Sequence, residues 1–300
     1  MFLQQLINGV TVGSVYALIA LGYSMVYGIL ELINFAHGEI YMLGAYLGII
    51  FLGFFTASGL TEYSLPLALV LTFVLSIIFC SCYGFTVEKI AYKPLRNAPR
   101  LSPLISAIGV SIFLQNYVML TQGATDKVFP NFFGTAGFEF SSIRMTYLQI
   151  FIILTSIVLM MALRFFVRKT RVGKAMRAVA QDKTMASLVG INIDTIISIT
   201  FIIGSGLAAI AGLMVAMYYG LVNYYIGYVA GIKAFTAAVL GGIGSIRGAM
   251  FGGILLGLIE SLGGSYISGE YKDAYAFVIL IIILLVKPGG LFRKADIEKV

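Results

Sequence analysis

The sequence predicts an all-α fold, a polytopic bundle of membrane-spanning helices, on three observations. Apolar runs of about 20 residues recur along the chain, the length that crosses a bilayer core. Of the 300 residues 60% are hydrophobic and 11% charged, more apolar surface than a soluble domain of this size can hide. The charges that do occur fall mostly between the runs.

In chain order the runs lie near residues 4–29, 39–57, 65–87, 103–121, 146–164, 195–219, 229–244, 248–264 and 274–287. The last three are short or rich in glycine. With residues 229–247 read as either crossing or re-entrant, about eight or nine transmembrane segments are expected. The first run lacks a basic flank and a small-residue cleavage site, so it reads as a span retained in the mature protein. The whole chain, 1–300, reads as one transmembrane domain.

Orientation follows from the basic residues. Lys89, Lys93, Arg96 and Arg100 share one loop. Arg164, Arg168, Lys169, Arg171, Lys174, Arg177 and Lys183 share another, and Lys287, Arg293, Lys294 and Lys299 mark the C-terminus. Even numbers of spans separate the three groups, and Arg247 also falls on their side. All are therefore expected in the cytosol, with the N-terminus external. Loops 122–145 and 265–273 are then external. Topology accounts for the net charge of +7, and nucleic acid is not an expected partner. Cys80 and Cys82, two apart on a helix, point to different faces. With a single histidine they offer no disulfide framework and no metal site.

A faint internal repeat is visible. "GSVYALIALGYSMVYG" (13–28) and "GSGLAAIAGLMVAMYYG" (204–220) both open on Gly-Ser and close on Tyr-Gly. In the topology above they run in opposite directions, as inverted repeats of transporters do. Chance in a composition biased to Gly, Ala, Leu and Tyr is the other reading.

The loop 165–194 is polar where its surroundings are apolar. Val172, Ala175, Met176, Val179 and Ala180 form one helical stripe, with Lys174, Arg177 and Gln181 off it. Asp182 is placed to cap a second short helix, 183–189. Gly190 is placed to end that helix in a left-handed conformation, and Asp194 to cap the next span. Three roles compete: a solvated loop that fixes topology, a surface helix on anionic lipid, and a docking element for a soluble partner. A loop that only fixes topology needs neither stripe nor caps, which favours docking.

"ELINFAHGEIYMLGAYLG" (31–48) sets Glu31, Asn34, His37 and Glu39 between two apolar runs. It reads either as a tight cytosolic turn broken at Asn34 and Gly38, or as polar groups facing a wet path. Gly241, Gly242 and Gly244 allow close helix packing or a bend. Glu260 lies inside an apolar run and needs a partner or a wet cavity. No G-x-x-x-x-G-K-[ST] occurs, so the chain does not itself cradle ATP phosphates. No nucleophile–base set is visible, and no enzymatic activity is expected of this chain.

"VGKAMRAVAQDKTMASLVGIN" (172–192) resembles the cytoplasmic coupling loop of ABC importer permeases. "NFAHGE" followed by "MLGAY", "AAVLGGIGSIRGAMFGG" (237–253) and "KPGGLF" (287–292) resemble the branched-chain amino-acid permeases of the H type and their urea and short-chain amide relatives. The resemblance covers essentially the whole chain. It implies a bacterial inner-membrane importer of Leu, Ile and Val working by alternating access. Its partners would be a second permease of similar fold, two ATP-binding subunits and an extracytoplasmic substrate-binding protein. ATP and Mg would bind the ATPase partner, with no cofactor on this chain.

The loop would then dock into the ATPase through Gly173, Lys174, Ala175, Met176, Arg177, Ala178, Val179, Ala180, Gln181 and Asp182, with Ala186 and Gly190 setting a tight return. It lacks the Glu-Ala-Ala form of other importer classes. Candidate substrate-pathway residues are Asn8, Asn34, His37, Glu39, Tyr41 and Tyr46, chosen for polar groups in or beside spans. A urea or amide permease is the alternative within the family. An ion-coupled carrier using Glu31, His37, Glu39 or Glu260 is the alternative outside it. A passive channel finds no filter-like ring in the sequence.

Overall fold

The computed structural model describes residues 1–292 except 97, 100, 133, 135, 141 and 142. Arg100, Arg293, Lys294 and Lys299, used above for orientation, lie outside the described residues. The elements, in order, are helices α1 (Phe2–Leu30), α2 (His37–Ala57), α3 (Leu60–Tyr63), α4 (Leu65–Val87) and α5 (Leu101–Gln122), then strands β1 (Lys127–Val128), β2 (Gly137–Phe140) and β3 (Ile143–Thr146). Helices α6 (Tyr147–Lys169), α7 (Arg171–Gln181), α8 (Lys183–Leu188) and α9 (Ile193–Tyr219) follow, then strand β4 (Leu221–Val222). Helices α10 (Ile226–Gly241), α11 (Ile246–Tyr266) and α12 (Lys272–Val286) complete the order. A π-turn over Glu88–Tyr92 and a 3-10 turn over Lys93–Leu95 prolong α4.

Among the described residues, seven helices are long and apolar enough to cross a membrane. At 16 and 15 residues, α10 and α12 fall short of a full crossing. The eight or nine expected crossings therefore turn on these two. The most apolar stretch of α1 is 94% buried and that of α9 83%, against 22% for α4 and α5. Helices α1 and α9 are thus the axis of the bundle, and α4 and α5 present most of their surface outward.

Small residues set the packing. Gly9 and Gly13 of α1 press on the backbone of α11 at Leu258 and Ile254; a Cβ on Gly13 would stand 2.8 Å from the Ile254 Cα. Numbers rise on one helix as they fall on the other, so α1 and α11 are antiparallel. Gly44 meets Ala209 and Gly48 meets Leu213, a constant offset, so α2 and α9 are parallel. In a membrane such small-residue seams replace the hydrophobic effect as the source of helix association.

The two central helices share a local plan. Helix α1 ends on Glu31 in a left-handed conformation (φ 60°), and α9 ends on Gly220 (φ 72°). A short non-helical link follows each. The chain then turns back so that α2 starts beside Gly22, whose missing Cβ makes room for the His37 ring. Gly22 precedes Leu30 by eight residues, about 12 Å along the helix, so α2 begins inside the bundle. Helix α10 begins near it, and Gly38 packs against the backbone of Gly227 and Gly231. Residues 31–36 are therefore more than the tight surface turn considered above.

The bundle has two distinct ends. At one, the Gln4 side chain bonds both the Arg144 N–H and its carbonyl (2.8 and 2.9 Å), which ties the start of α1 to the β2–β3 hairpin. Strands β1 and β4 pair at the same end. At the other, Lys183 donates to the Leu30 carbonyl (3.4 Å), joining the end of α1 to the α7–α8 loop.

Candidate functional site

Three polar constellations stand out, the first being the α7–α8 loop. The Thr170 hydroxyl caps α7 by accepting from Gly173 N (3.0 Å), and Asp182 caps α8 by accepting from Met185 N (2.9 Å). Gly190 is left-handed (φ 85°), as its position predicts. The next cap differs from expectation: Asn192, not Asp194, caps α9 by accepting from Thr195 N (3.0 Å). Asp194 instead pairs with Arg96 and with Lys93 (2.8 Å). The correction has a physical reason. Asp194 already has helical geometry in the first turn of α9, where its carboxylate is free to reach two cations.

The apolar stripe also has a different destination. Gly173, Met176 and Val179 are buried, Val172, Ala175 and Ala178 half-buried, and Ala180 is exposed. A Cβ on Gly173 would strike the backbone of Phe166 and Val167, so α7 lies tight on the end of α6. The stripe thus fastens the loop to its own bundle. Lys174, Arg177, Ala180, Gln181, Asp182 and Gly190 face outward, while Ala186 is buried. The apolar surface left free belongs to α8: Met185, Leu188 and Val189 are 61%, 75% and 76% exposed. These three escaped the sequence reading, although their i, i+3, i+4 spacing after the Asp182 cap was a usable signal. Thr170 was missed as well.

The second constellation is the inward start of α2. Asn34, His37 and Glu39 are all buried there. Asn34 Oδ1 accepts from the Tyr92 hydroxyl (2.8 Å), and Glu39 Oε1 accepts from the Ser111 hydroxyl (2.9 Å). The His37 ring stands edge-on to Tyr23, centroids 4.8 Å apart. Among the described residues, Asn34 Nδ2, Glu39 Oε2 and the Tyr46 hydroxyl have no hydrogen-bond partner. No cation pairs with Glu39 among the described residues. Glu39 lies in the first turn of α2 and packs against Gly227 in the first turn of α10. The positive ends of two helices face this carboxylate in place of a cation. Tyr41 and Tyr46 are buried farther along α2. Asn8 is elsewhere: its Oδ1 accepts from Gln149 (2.9 Å) near the start of α1. Glu31 is exposed at the loop end.

The third constellation supplies the partner that Glu260 required. Lys233 Nζ stands 2.8 Å from Glu260 Oε1 and 2.7 Å from Asp273 Oδ1. The Tyr16 hydroxyl donates to Glu260 Oε2 (2.8 Å). Lys233 and Glu260 are each 7% exposed, and the cluster joins α1, α10, α11 and α12. Lys233 was missed, though a lysine inside an apolar run signals a buried acid elsewhere. Below this cluster Gly242 (φ 101°) and Gly244 (φ 85°) make the turn from α10 to α11, and Gly241 lies against the Gly248 backbone. The glycine cluster therefore both bends and packs.

Comparison with known proteins adds to this geometry. The family model described as branched-chain amino acid transport system / permease component matches residues 5–284. The high-affinity branched-chain amino acid transport system permease protein LivH of Salmonella typhimurium is 50% identical over 303 residues, covering 100% of this chain and 98% of that protein. LivH of Escherichia coli K12 and the corresponding permease protein BraD of Pseudomonas aeruginosa are likewise 50% identical over the same coverage. No solved structure matches the chain.

Proposed function

The chain belongs to the branched-chain amino acid transport permease family, and from that premise we propose that it is the membrane-spanning permease subunit of an ABC importer for Leu, Ile and Val. The observation that supports this most is full-length identity to high-affinity permeases of that system. The chain is an integral membrane protein, and the inner membrane of a bacterium is its proposed location. The α7–α8 end is cytosolic on this reading, and the β2–β3 end and N-terminus are external. The shared plan of α1–α2 and α9–α10 supports an inverted repeat.

The partners are a second permease of similar fold, two ATP-binding subunits that hold ATP and Mg, and an external binding protein. The α7–α8 loop is the element that receives the ATPase stroke. Its docking surface is the outward face, Lys174, Arg177 and Gln181, together with the exposed Met185, Leu188 and Val189. Because the buried stripe clamps α7 to α6, movement of the loop moves the membrane helices and shifts the balance of outward- and inward-facing states.

The test is reconstitution with the partner subunits, followed by ATP hydrolysis with leucine-loaded binding protein. An Arg177→Glu, Leu188→Asp double variant changes exposed positions only. It is expected to lose both ATPase retention and stimulation while the chain still folds. Leucine transport without any ATPase subunit would overturn the reading. Uptake of urea or a short-chain amide in place of leucine would correct the substrate and keep the architecture.

A further inference from the structure

At the loop end of the bundle a cavity of about 1050 Å³ opens between the ends of α1 and α6, α7 and the α10–α11 turn. Arg164, Arg168, Arg177 and Arg247 line it, and Glu31 is the acidic residue on its wall. None of the four arginines has a carboxylate partner among the described residues. Arg177 donates to the Arg168 carbonyl (3.3 Å), which holds it near the second arginine without neutralising either. The first turn of α11 also lies on the wall, with Ser245 capping Gly248 N (3.1 Å). At the rim Phe292 stacks on Phe251, centroids 5.2 Å apart, and Phe251 is 57% exposed on the outer side of α11.

Topology alone asks for basic residues in a loop. It does not ask four of them, from α6, α7 and α11, to converge on one cavity. Like charges gathered this way repel unless an anion shares them. Guanidinium forks match phosphate oxygens in shape and charge. We propose that this cavity binds a phosphate-bearing anion, and that in the membrane its occupant is the headgroup of an anionic phospholipid. The cavity is open and far larger than an isolated phosphate, so it has room for a whole lipid headgroup. The Phe251–Phe292 pair then meets the first carbons of an acyl chain. Basic pockets between helices at the cytosolic interface suit such heads. The inference uses the sidedness proposed above but not the import reading; Arg177, which also stands on the proposed docking face, is left out of the test, so either can fail without the other.

The test is arginine footprinting of the complete transporter in nanodiscs. Phenylglyoxal modification of Arg164, Arg168 and Arg247 is followed by mass spectrometry, with Arg144 at the opposite end as internal reference. Adding phosphatidylglycerol to phosphatidylcholine is expected to slow modification of the three by at least about tenfold, the scale of one charged hydrogen bond. Equal rates in both lipids would overturn the proposal. Protection by millimolar inorganic phosphate in pure phosphatidylcholine would overturn the lipid assignment in favour of a soluble anion. Protection that follows the ATP-binding subunits whatever the lipid would mean that a protein segment fills the cavity. A second measurement counts phospholipid retained on purification. Arg164→Gln with Arg168→Gln is expected to lose bound phosphatidylglycerol, and unchanged retention would count against the site.

Discussion

At the scale of single residues, the most demanding position is Lys233. Its ammonium sits 2.8 Å from Glu260 and 2.7 Å from Asp273, yet the two carboxylates are not equivalent: Glu260 is buried and Asp273 is 62% exposed. Removing the lysine strands Glu260 in an apolar run with only the Tyr16 hydroxyl, whereas Asp273 can turn to water. Lys233→Ala is therefore expected to destabilise the chain by about 3–5 kcal/mol, the cost of breaking a buried pair. Lys233→Met combined with Glu260→Leu, which removes both buried charges, is expected to recover most of that loss. Thermal unfolding in detergent would measure both. A double variant no more stable than the single would show that the cluster does more than satisfy its own charges. Glu39 poses the opposite case. It is 1% exposed with a single hydroxyl partner, and its environment is made of helix ends rather than of a lysine.

At the scale of elements, the caps decide whether the loop helices exist. Helix α7 has 11 residues, too few to be stable alone in water, so its Thr170 cap and the clamp on α6 hold it in place. Thr170→Ala is expected to cost about 1 kcal/mol of local stability. Faster hydrogen exchange across residues 171–181, with the α1 and α9 cores unchanged, would report it. The element boundaries were largely legible in the sequence because a membrane span is an uninterrupted apolar run. The caps at Asp182 and Gly190 were legible from their position relative to the polar stretch. What could not be read was the use of each face. The Val172–Ala180 stripe is equally consistent with docking outward or packing inward, and only the neighbouring Phe166 and Val167 backbone settles it. Lys233 was not singled out within its run, and Arg96 was read only as one basic residue of a loop. Their partners, Glu260 and Glu88 with Asp194, are set by three-dimensional proximity that periodicity does not encode.

At the scale of the molecule, the question is how motion of the α7–α8 loop would reach the central helices. One connection is the clamp on α6. The other is the ionic knot at the start of α9, where Arg96 bridges Asp194 to the buried Glu88, and the Ser198 hydroxyl donates to Glu88 (2.8 Å). This ties the first turn of α9, directly after the loop, to the tail of α4. Arg96→Gln would confuse stability with coupling, because it strands a carboxylate that is 0% exposed. Asp194 is the cleaner probe, since its side chain is 47% exposed. Asp194→Asn keeps the shape and is expected to change stability by no more than about 1 kcal/mol. If the knot transmits the stroke, the variant still assembles with the ATPase and hydrolyses ATP, but leucine uptake per ATP falls by about 2–30-fold, the span of coupling energies that such sites modulate. Unchanged uptake per ATP, with the knot shown to be broken, would leave the α6 clamp as the route from the loop to the bundle.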